Sequence, residues 1–238
     1  MADVIKRKCE TCSHHKCFIN KYCSEEWKPI ITYNKTTTHY PPGATIFSEG
    51  EPVTGIYEIY EGKIKIVSSY EDDRERIVSF ATREQILGFQ GLGESKTYPV
   101  TAVTLEKSQV TFIPLDIFYK AVKVNPEMAV YLLTFFADQL KESEMRMKYY
   151  SVMTALEKVA YALLTIVDSF GFDDQDETML SFTPSRKDIA SLSSTTYATV
   201  IRVLAEFEKT RLIKLEGKSI RILNLPKIRS ICEKNMSL

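Results

Sequence analysis

The sequence predicts an α+β fold in which an antiparallel β-roll is followed by one long helix and then by a pair of short helices with a β-hairpin. Three stretches predict it. Between about Lys35 and Ile113, short apolar runs alternate with turn residues, the pattern of a small antiparallel barrel or roll. Asn125-Pro126-Glu127 opens a helical stretch that reaches about Tyr150. From Pro184 to Leu223, two short helical patterns lead into a hairpin around Gly217. The 238 residues therefore divide into an arm (1–25), a roll (26–124), a helix (125–151) and a C-terminal domain (152–238).

The arm carries Cys9, Cys12, Cys17 and Cys23, four of the five cysteines, spaced C-x2-C-x4-C-x5-C. Its other residues are mostly polar or basic, which argues against cysteines used as buried hydrophobes. Four thiolates at short spacing close a tetrahedral site around zinc or hold an iron–sulfur cluster. Redox-active thiols and inert cysteines are the other readings. His14 and His15 stand inside the motif, either as substitute ligands or as solvated side chains.

In the roll, Tyr40-Pro41-Pro42-Gly43 and Ser48-Glu49-Gly50-Glu51-Pro52 are turns on either side of Thr45-Ile46-Phe47. Ile56, Glu58 and Tyr60 alternate with Tyr57 and Ile59, Gly62 breaks the run, and Ile64 and Ile66 resume it. Glu71-Asp72-Asp73 is a charged hairpin tip before Ile77–Phe80, and Val100, Ala102 and Val110–Ile113 supply the last strands. Asn125 is the expected cap of the long helix, with Pro126 at its first position and an acid in its first turn. Along it, Val130, Leu133, Ala137, Leu140 and Met147 follow the spacing of a short two-stranded coiled-coil seam, with Glu144 at the missing position;. Self-association through that face is expected. A second apolar stretch, Val152–Val167, follows.

In the C-terminal domain, Ser185 and Asp188 form an S-x-x-D cap, with Ile189 and Leu192 as a buried pair;. Thr196 caps a second helix whose Val200, Leu204 and Phe207 fall on one stripe;. Thr195, Ala198, Thr199, Arg202 and Glu206 fall on the other face. Helix, turn, helix and hairpin make a winged helix-turn-helix, whose second helix enters the DNA major groove. Arg202 can read guanine O6 and N7 bidentately. Thr195, Thr196 and Thr199 can donate to phosphates near the helix N-terminus. Ser185, Tyr197, Ala198 and the wing's Lys218 complete the candidate contact set.

Composition agrees. The net charge is zero, yet from Pro184 onward eleven Lys and Arg face five acids, the asymmetry of a nucleic-acid module. Asp168–Glu177, with five acids and no base, reads as an exposed loop. No apolar run reaches the ~18 residues of a membrane span, and the N-terminus has no apolar signal core. The expected compartment is the cytoplasm, without a membrane partner and with cysteines as thiols or ligands. There is no H-E-x-x-H, G-x-S-x-G, P-loop or G-x-G-x-x-G after a strand, so an enzyme is not expected.

Roll, long helix and winged helix-turn-helix, in that order, resemble the CRP/FNR family of dimeric bacterial transcription regulators. The resemblance runs from about residue 35 to 225 and rests on Tyr40–Gly43, Ser48–Glu51, Gly55–Ile66, Ser185–Leu204 and Gly217–Ile220. It implies a roll like a cyclic-nucleotide-binding domain, and a homodimer on a pseudo-palindromic double-stranded site. Arg202 takes the place of the family's base-contacting arginine, and RNA polymerase is a candidate partner. Members that bind cyclic nucleotides carry Gly-Glu-Leu and Arg-Ser/Thr-Ala, where this chain has Gly88-Phe89-Gln90 and Val100-Thr101-Ala102. A cyclic phosphate would lack its cationic partner, so cyclic AMP is not the expected effector. Ala198 stands where many members carry a glutamate. The cysteine arm resembles the FNR branch, whose cysteines bind an oxygen-labile [4Fe–4S] cluster. That branch takes a fourth cysteine from the roll, where this chain has Thr111, so Cys23 is the expected fourth ligand. The resemblance implies control by a redox, oxygen or nitrosative signal. Zinc, a thiol switch, and haem or another ligand in the roll are the alternatives. Cys232 is remote and expected to be ordinary.

Overall fold

The computed structural model describes residues 4, 5, 7–70 and 74–233. The charged tip expected at Glu71–Asp73 and the basic Lys234 lie outside them. The chain forms two compact units: residues 1–71 with 79–140, and residues 72–78 with 141–238.

The first unit begins with strand β1 (Val4–Ile5) and helices α1 (Phe18–Tyr22) and α2 (Lys28–Asn34). Strands β2 (Thr36–Tyr40), β3 (Thr45–Phe47), β4 (Gly55–Glu61), β5 (Lys63–Tyr70), β6 (Arg74–Thr82) and β7 (Ile86–Leu87) follow, the first residues of β6 being counted with the second unit. A single 3-10 turn (Phe89–Leu92) then leads to β8 (Thr101–Thr104) and β9 (Ser108–Pro114). The strands form two sheets, ordered β1-β2-β9-β4-β7 and β3-β8-β5-β6, as the short runs and turns predict. Gly62 sits between β4 and β5 with φ +115°, where a Cβ would come 2.2 Å from Ser108 Oγ. Only glycine closes that hairpin.

Three features differ from the expectation. Helix α3 (Leu115–Val124), which follows the last strand of the roll, is not among the predicted elements. Asn125 does not cap the long helix α4 (Pro126–Val152) with its side chain. Its Oδ1 accepts from the Ser24 N–H at 2.8 Å and its Nδ2 donates to the Ala121 carbonyl at 2.7 Å, so it ties the end of α3 to the arm. The arm is also not a polar appendage. Cys9, Cys17, Phe18, Ile19, Cys23 and Ile31 are buried in one cluster with Ile56, Ile113, Phe118, Met128 and Leu132. The aromatic and aliphatic residues between the cysteines supply the apolar surface that the basic composition hides.

The second unit is helical with one small sheet. Helix α5 (Ala155–Phe170) starts at a full capping box: Thr154 N–H donates to Glu157 Oε2 at 2.7 Å, and Glu157 N–H donates to Thr154 Oγ1 at 3.4 Å;. Seven of its residues are buried, among them Val159, Leu163 and Ile166, as the apolar stretch predicts. Beyond it lie β10 (Phe172–Asp173), β11 (Asp176–Leu180), α6 (Arg186–Leu192), α7 (Tyr197–Lys209), β12 (Ile213–Glu216), β13 (Ser219–Ile222) and α8 (Leu225–Glu233). The acidic stretch is thus a hairpin and not a loop. Its strands extend the wing into a sheet ordered β10-β11-β13-β12. Arg221 of β13 gives one of these acids a partner: it donates to Asp176 and, at 3.1 Å, to Glu216 of β12. The Thr178 hydroxyl and then Arg221 hold the Asp176 carboxyl well below the usual carboxylate range;.

Val200, Val203, Leu204 and Phe207 of α7 are all buried. Phe207→Ala is expected to cost about 3–5 kcal/mol in urea unfolding of the full chain, whereas Lys209→Ala on the exposed face should stay within about 0.5 kcal/mol.

Candidate nucleic-acid interface and cysteine arm

The helix pair is held by its own hydroxyls. Ser185 caps α6, its Oγ accepting from the Asp188 N–H at 3.1 Å and donating to the Asp188 carboxylate at 2.6 Å. In the turn, Ser194 takes φ +52°, and the buried Ser193 hydroxyl donates to the Ile189 carbonyl at 2.7 Å. Thr195 Oγ1 lies 2.8 Å from Ser193 Oγ. Thr196 caps α7, accepting from the Thr199 N–H at 3.1 Å, with the two threonine hydroxyls 2.9 Å apart. The three threonines are therefore structural first, since each hydroxyl already has an internal partner.

The exposed face of α7 carries Tyr197, Ala198, Ile201, Arg202, Ala205 and Glu206. Thr195 and Thr199 are half-buried beside it. Arg202 makes no ion pair among the described residues, which leaves its guanidinium available. Arg186, absent from the expected set, donates to the Lys218 carbonyl at 3.1 Å and ties α6 to the wing turn. Its signal was only a base in the first turn of a helix. Several other C-terminal bases are neutralised internally: Lys214 by Glu216 at 2.8 Å, Arg221 by Asp176 and Glu216, and Arg229 by Asp168 at 3.4 Å. The basic excess is thus narrower on the surface than in the composition.

On α4, Met128 and Leu132 are buried within the first unit. Val130, Leu133, Ala137, Leu140 and Met147 are all exposed, Leu133 by 73%. The expected seam is an apolar stripe that this chain does not cover itself.

The arm places its cysteines differently from the expected four-thiolate set. Cys17 precedes α1 and Cys23 follows it, so the two stand at opposite ends of a helix, roughly 9 Å apart along its axis at 1.5 Å per residue. Cys9 Sγ accepts from the Lys35 ammonium at 2.9 Å. Burial, with Cys9 nearby, pushes the Cys23 thiol up to about 11. Cys17 lies against the Glu58 carboxyl, and burial together with that carboxylate pushes its thiol far above the usual range. Glu58 is itself buried and its pKa raised by burial, with Oε1 unpartnered among the described residues. It faces Thr111 across β4 and β9, and Thr111 shares a hydrogen bond with the Thr37 hydroxyl at 2.9 Å. Cys12 is partly exposed. His14 is stacked on Tyr60 at 4.1 Å and buried, whereas His15 is exposed. No three His, Cys, Asp or Glu side chains among the described residues are grouped to hold a metal ion. As folded, the arm does not fit a four-thiolate centre. Cys232 is buried in α8.

The interior of the roll is lined with rings. Phe47 stacks on Tyr98 at 4.3 Å and on Tyr57 at 5.3 Å, and Phe112 lies 5.1 Å from Tyr57. The buried Tyr98 hydroxyl donates to the Gly55 carbonyl at 2.8 Å. Thr101 Oγ1 accepts from the Glu49 N–H at 2.9 Å.

Comparison with known proteins matches residues 37–125 to the cyclic nucleotide-binding domain family and residues 157–231 to the Crp-like helix-turn-helix domain family. Similar relatives include the transcriptional activator protein FnrA of Stutzerimonas stutzeri, 25% identical over 182 residues, covering 76% of this chain and 74% of the relative. A CRP-like cAMP-activated global transcriptional regulator of Mycobacterium tuberculosis is 26% identical over 192 residues, covering 81% of this chain and 86% of the relative. The structure of FixK2 from Bradyrhizobium japonicum has the same fold, with a TM-score of 0.73 at 22% identity, covering 83% of this chain and 96% of FixK2. A roll and a capped helix pair with a wing, matched in that order on either side of the long helix and over more than half of the chain, make this chain a member of the CRP/FNR family of DNA-binding transcription regulators.

Proposed function

We propose that two copies of the chain pair through the α4 stripe and bind a pseudo-palindromic site, each inserting α7 into one major groove. The observation that carries this reading is the exposed Arg202 guanidinium, without an ion-pair partner among the described residues, on a helix whose opposite face is fully buried. A guanidinium so placed offers a bidentate fork to guanine. Pairing along α4 supports half-sites about one helical turn apart. Thr195, Thr196, Thr199, Ser185, Tyr197 and Lys218 are the proposed backbone contacts, and the Ser185 hydroxyl, which donates to Asp188 in the free protein, turns outward to donate to phosphate;. RNA polymerase is the natural partner of a regulator acting as an activator, as the relative FnrA is named. DNA as a partner places the protein in the cytoplasm. No helix among the described residues is long and apolar enough to cross a membrane.

Control is assigned to the arm. Helix α1 lies against the helix that carries the seam: Tyr22 stacks on Tyr131 at 4.4 Å, Phe18 lies 6.3 Å from Tyr131, and Tyr131 lies 6.0 Å from Phe135. A change in the arm therefore acts on α4 directly. The cysteine spacing supports an iron–sulfur cluster and a redox or oxygen signal, with structural zinc or a thiol switch as the second reading. Gathering Cys9, Cys12, Cys17 and Cys23 around either one requires α1 to open, because Cys17 and Cys23 flank it. Cyclic AMP is not the proposed effector, since Phe89 and Val100 supply neither carboxylate nor guanidinium and aromatic rings line the interior.

Arg202→Ala is expected to weaken binding to a selected site by about 1–3 kcal/mol while leaving random-sequence DNA nearly unchanged, read by anisotropy titrations at matched salt. Leu133→Asp combined with Leu140→Asp should give monomers by light scattering and abolish two-fold site binding. In reduced, metal-free protein, iodoacetamide should modify Cys12 well before Cys9, Cys17 and Cys23; equal rates would show an open arm. Protein purified without air should carry iron and sulfide with visible absorbance lost in the four Cys→Ser variants. Colourless protein retaining zinc would leave the structural-metal reading.

A further inference from the structure

The outward face of α7 departs from a polar DNA-reading surface. Its buried stripe is complete with Val200, Val203, Leu204 and Phe207. Ile201 is not part of it: this β-branched aliphatic is 42% exposed, immediately before Arg202. Ala198 and Ala205, at i−3 and i+4, lie on the same exposed ridge;. Flanked by two methyl side chains, Ile201 is the tallest group on that ridge. In the first two turns this face offers no carboxylate and no side-chain amide. It therefore has no carboxylate to accept from cytosine N4 and no amide to pair with adenine N6 and N7;.

A helix in the major groove meets base edges, and the apolar group those edges present is the 5-methyl of thymine. We propose that Ile201 is a specificity-determining residue that seats against a thymine methyl in each half-site, beside the base pair read by Arg202. The inference rests on the reading of α7 as the groove helix. It also gives the absence of an acid at Ala198 a consequence: the half-site prefers thymine beside the position that Arg202 reads. Burying one methyl group is worth about a fourfold change in affinity per half-site.

The full-length protein is used to select sites from randomised duplex DNA, and each thymine of the selected half-site is then replaced in turn by deoxyuridine. One thymine per half-site should lose about fourfold in affinity on replacement. Ile201→Ala should bind more weakly and no longer distinguish thymine from uracil there. Arg202→Ala should keep that distinction, and circular dichroism of both variants should match the parent. The proposal is overturned if every thymine is replaceable without loss, or if Ile201→Ala keeps the parent's thymine-to-uracil ratio. Recovery of no enriched sequence overturns the groove-helix reading, and this inference with it.

Discussion

Strand β4 is buried on both faces, and much of the first unit follows from that constraint. Tyr57 points to one side, where Phe47, Tyr98 and Phe112 pack on it. Ile56 and Glu58 point to the other, where Ile56 joins the apolar cluster of the arm and α3. A strand with one solvated face would show a clean polar–apolar alternation. Here the alternation places a carboxyl in the core, and burial drives its pKa upward. Glu58 meets Cys17 because both are sequestered by the same packing, and a thiol beside a buried carboxyl is held in its neutral form.

The control proposed for the arm depends on the same packing. Its cysteines are anchored by α1, whose rings lie on α4, so their geometry and that of the seam helix are mechanically linked. A centre that draws Cys17 and Cys23 together acts against the helical hydrogen bond from Cys23 N–H to the Ile19 carbonyl, 3.0 Å long. Differential stability of a few kcal/mol between two such arrangements is enough to switch a regulator.

At the DNA-binding end, hydroxyls are used economically. Ser185 and Thr196 satisfy the exposed N–H groups at the starts of α6 and α7, and Ser193 closes the turn between them. Specific chemistry is left to the few groups on α7 that fold stability does not occupy. The acidic hairpin β10–β11 contributes differently, consuming Arg221 and stiffening the wing.

The sequence alone determined the helix pair, its caps, the wing turn at Gly217, the exposed apolar stripe on α4 and the alternating strands of the roll. These depend on residues within a few positions of one another, where periodicity and capping chemistry act. It misjudged elements whose meaning depends on distant partners. The acids of 168–177 read as a loop until Arg221 stands opposite them, and Asn125 read as a cap until Ser24 claims its side chain. The sequence also does not show that α1 stands between Cys17 and Cys23. Tertiary structure decided those points, because burial and pairing are properties of the assembled core: Cys17 is 41 residues from Glu58, and no local pattern records that they share one dry volume.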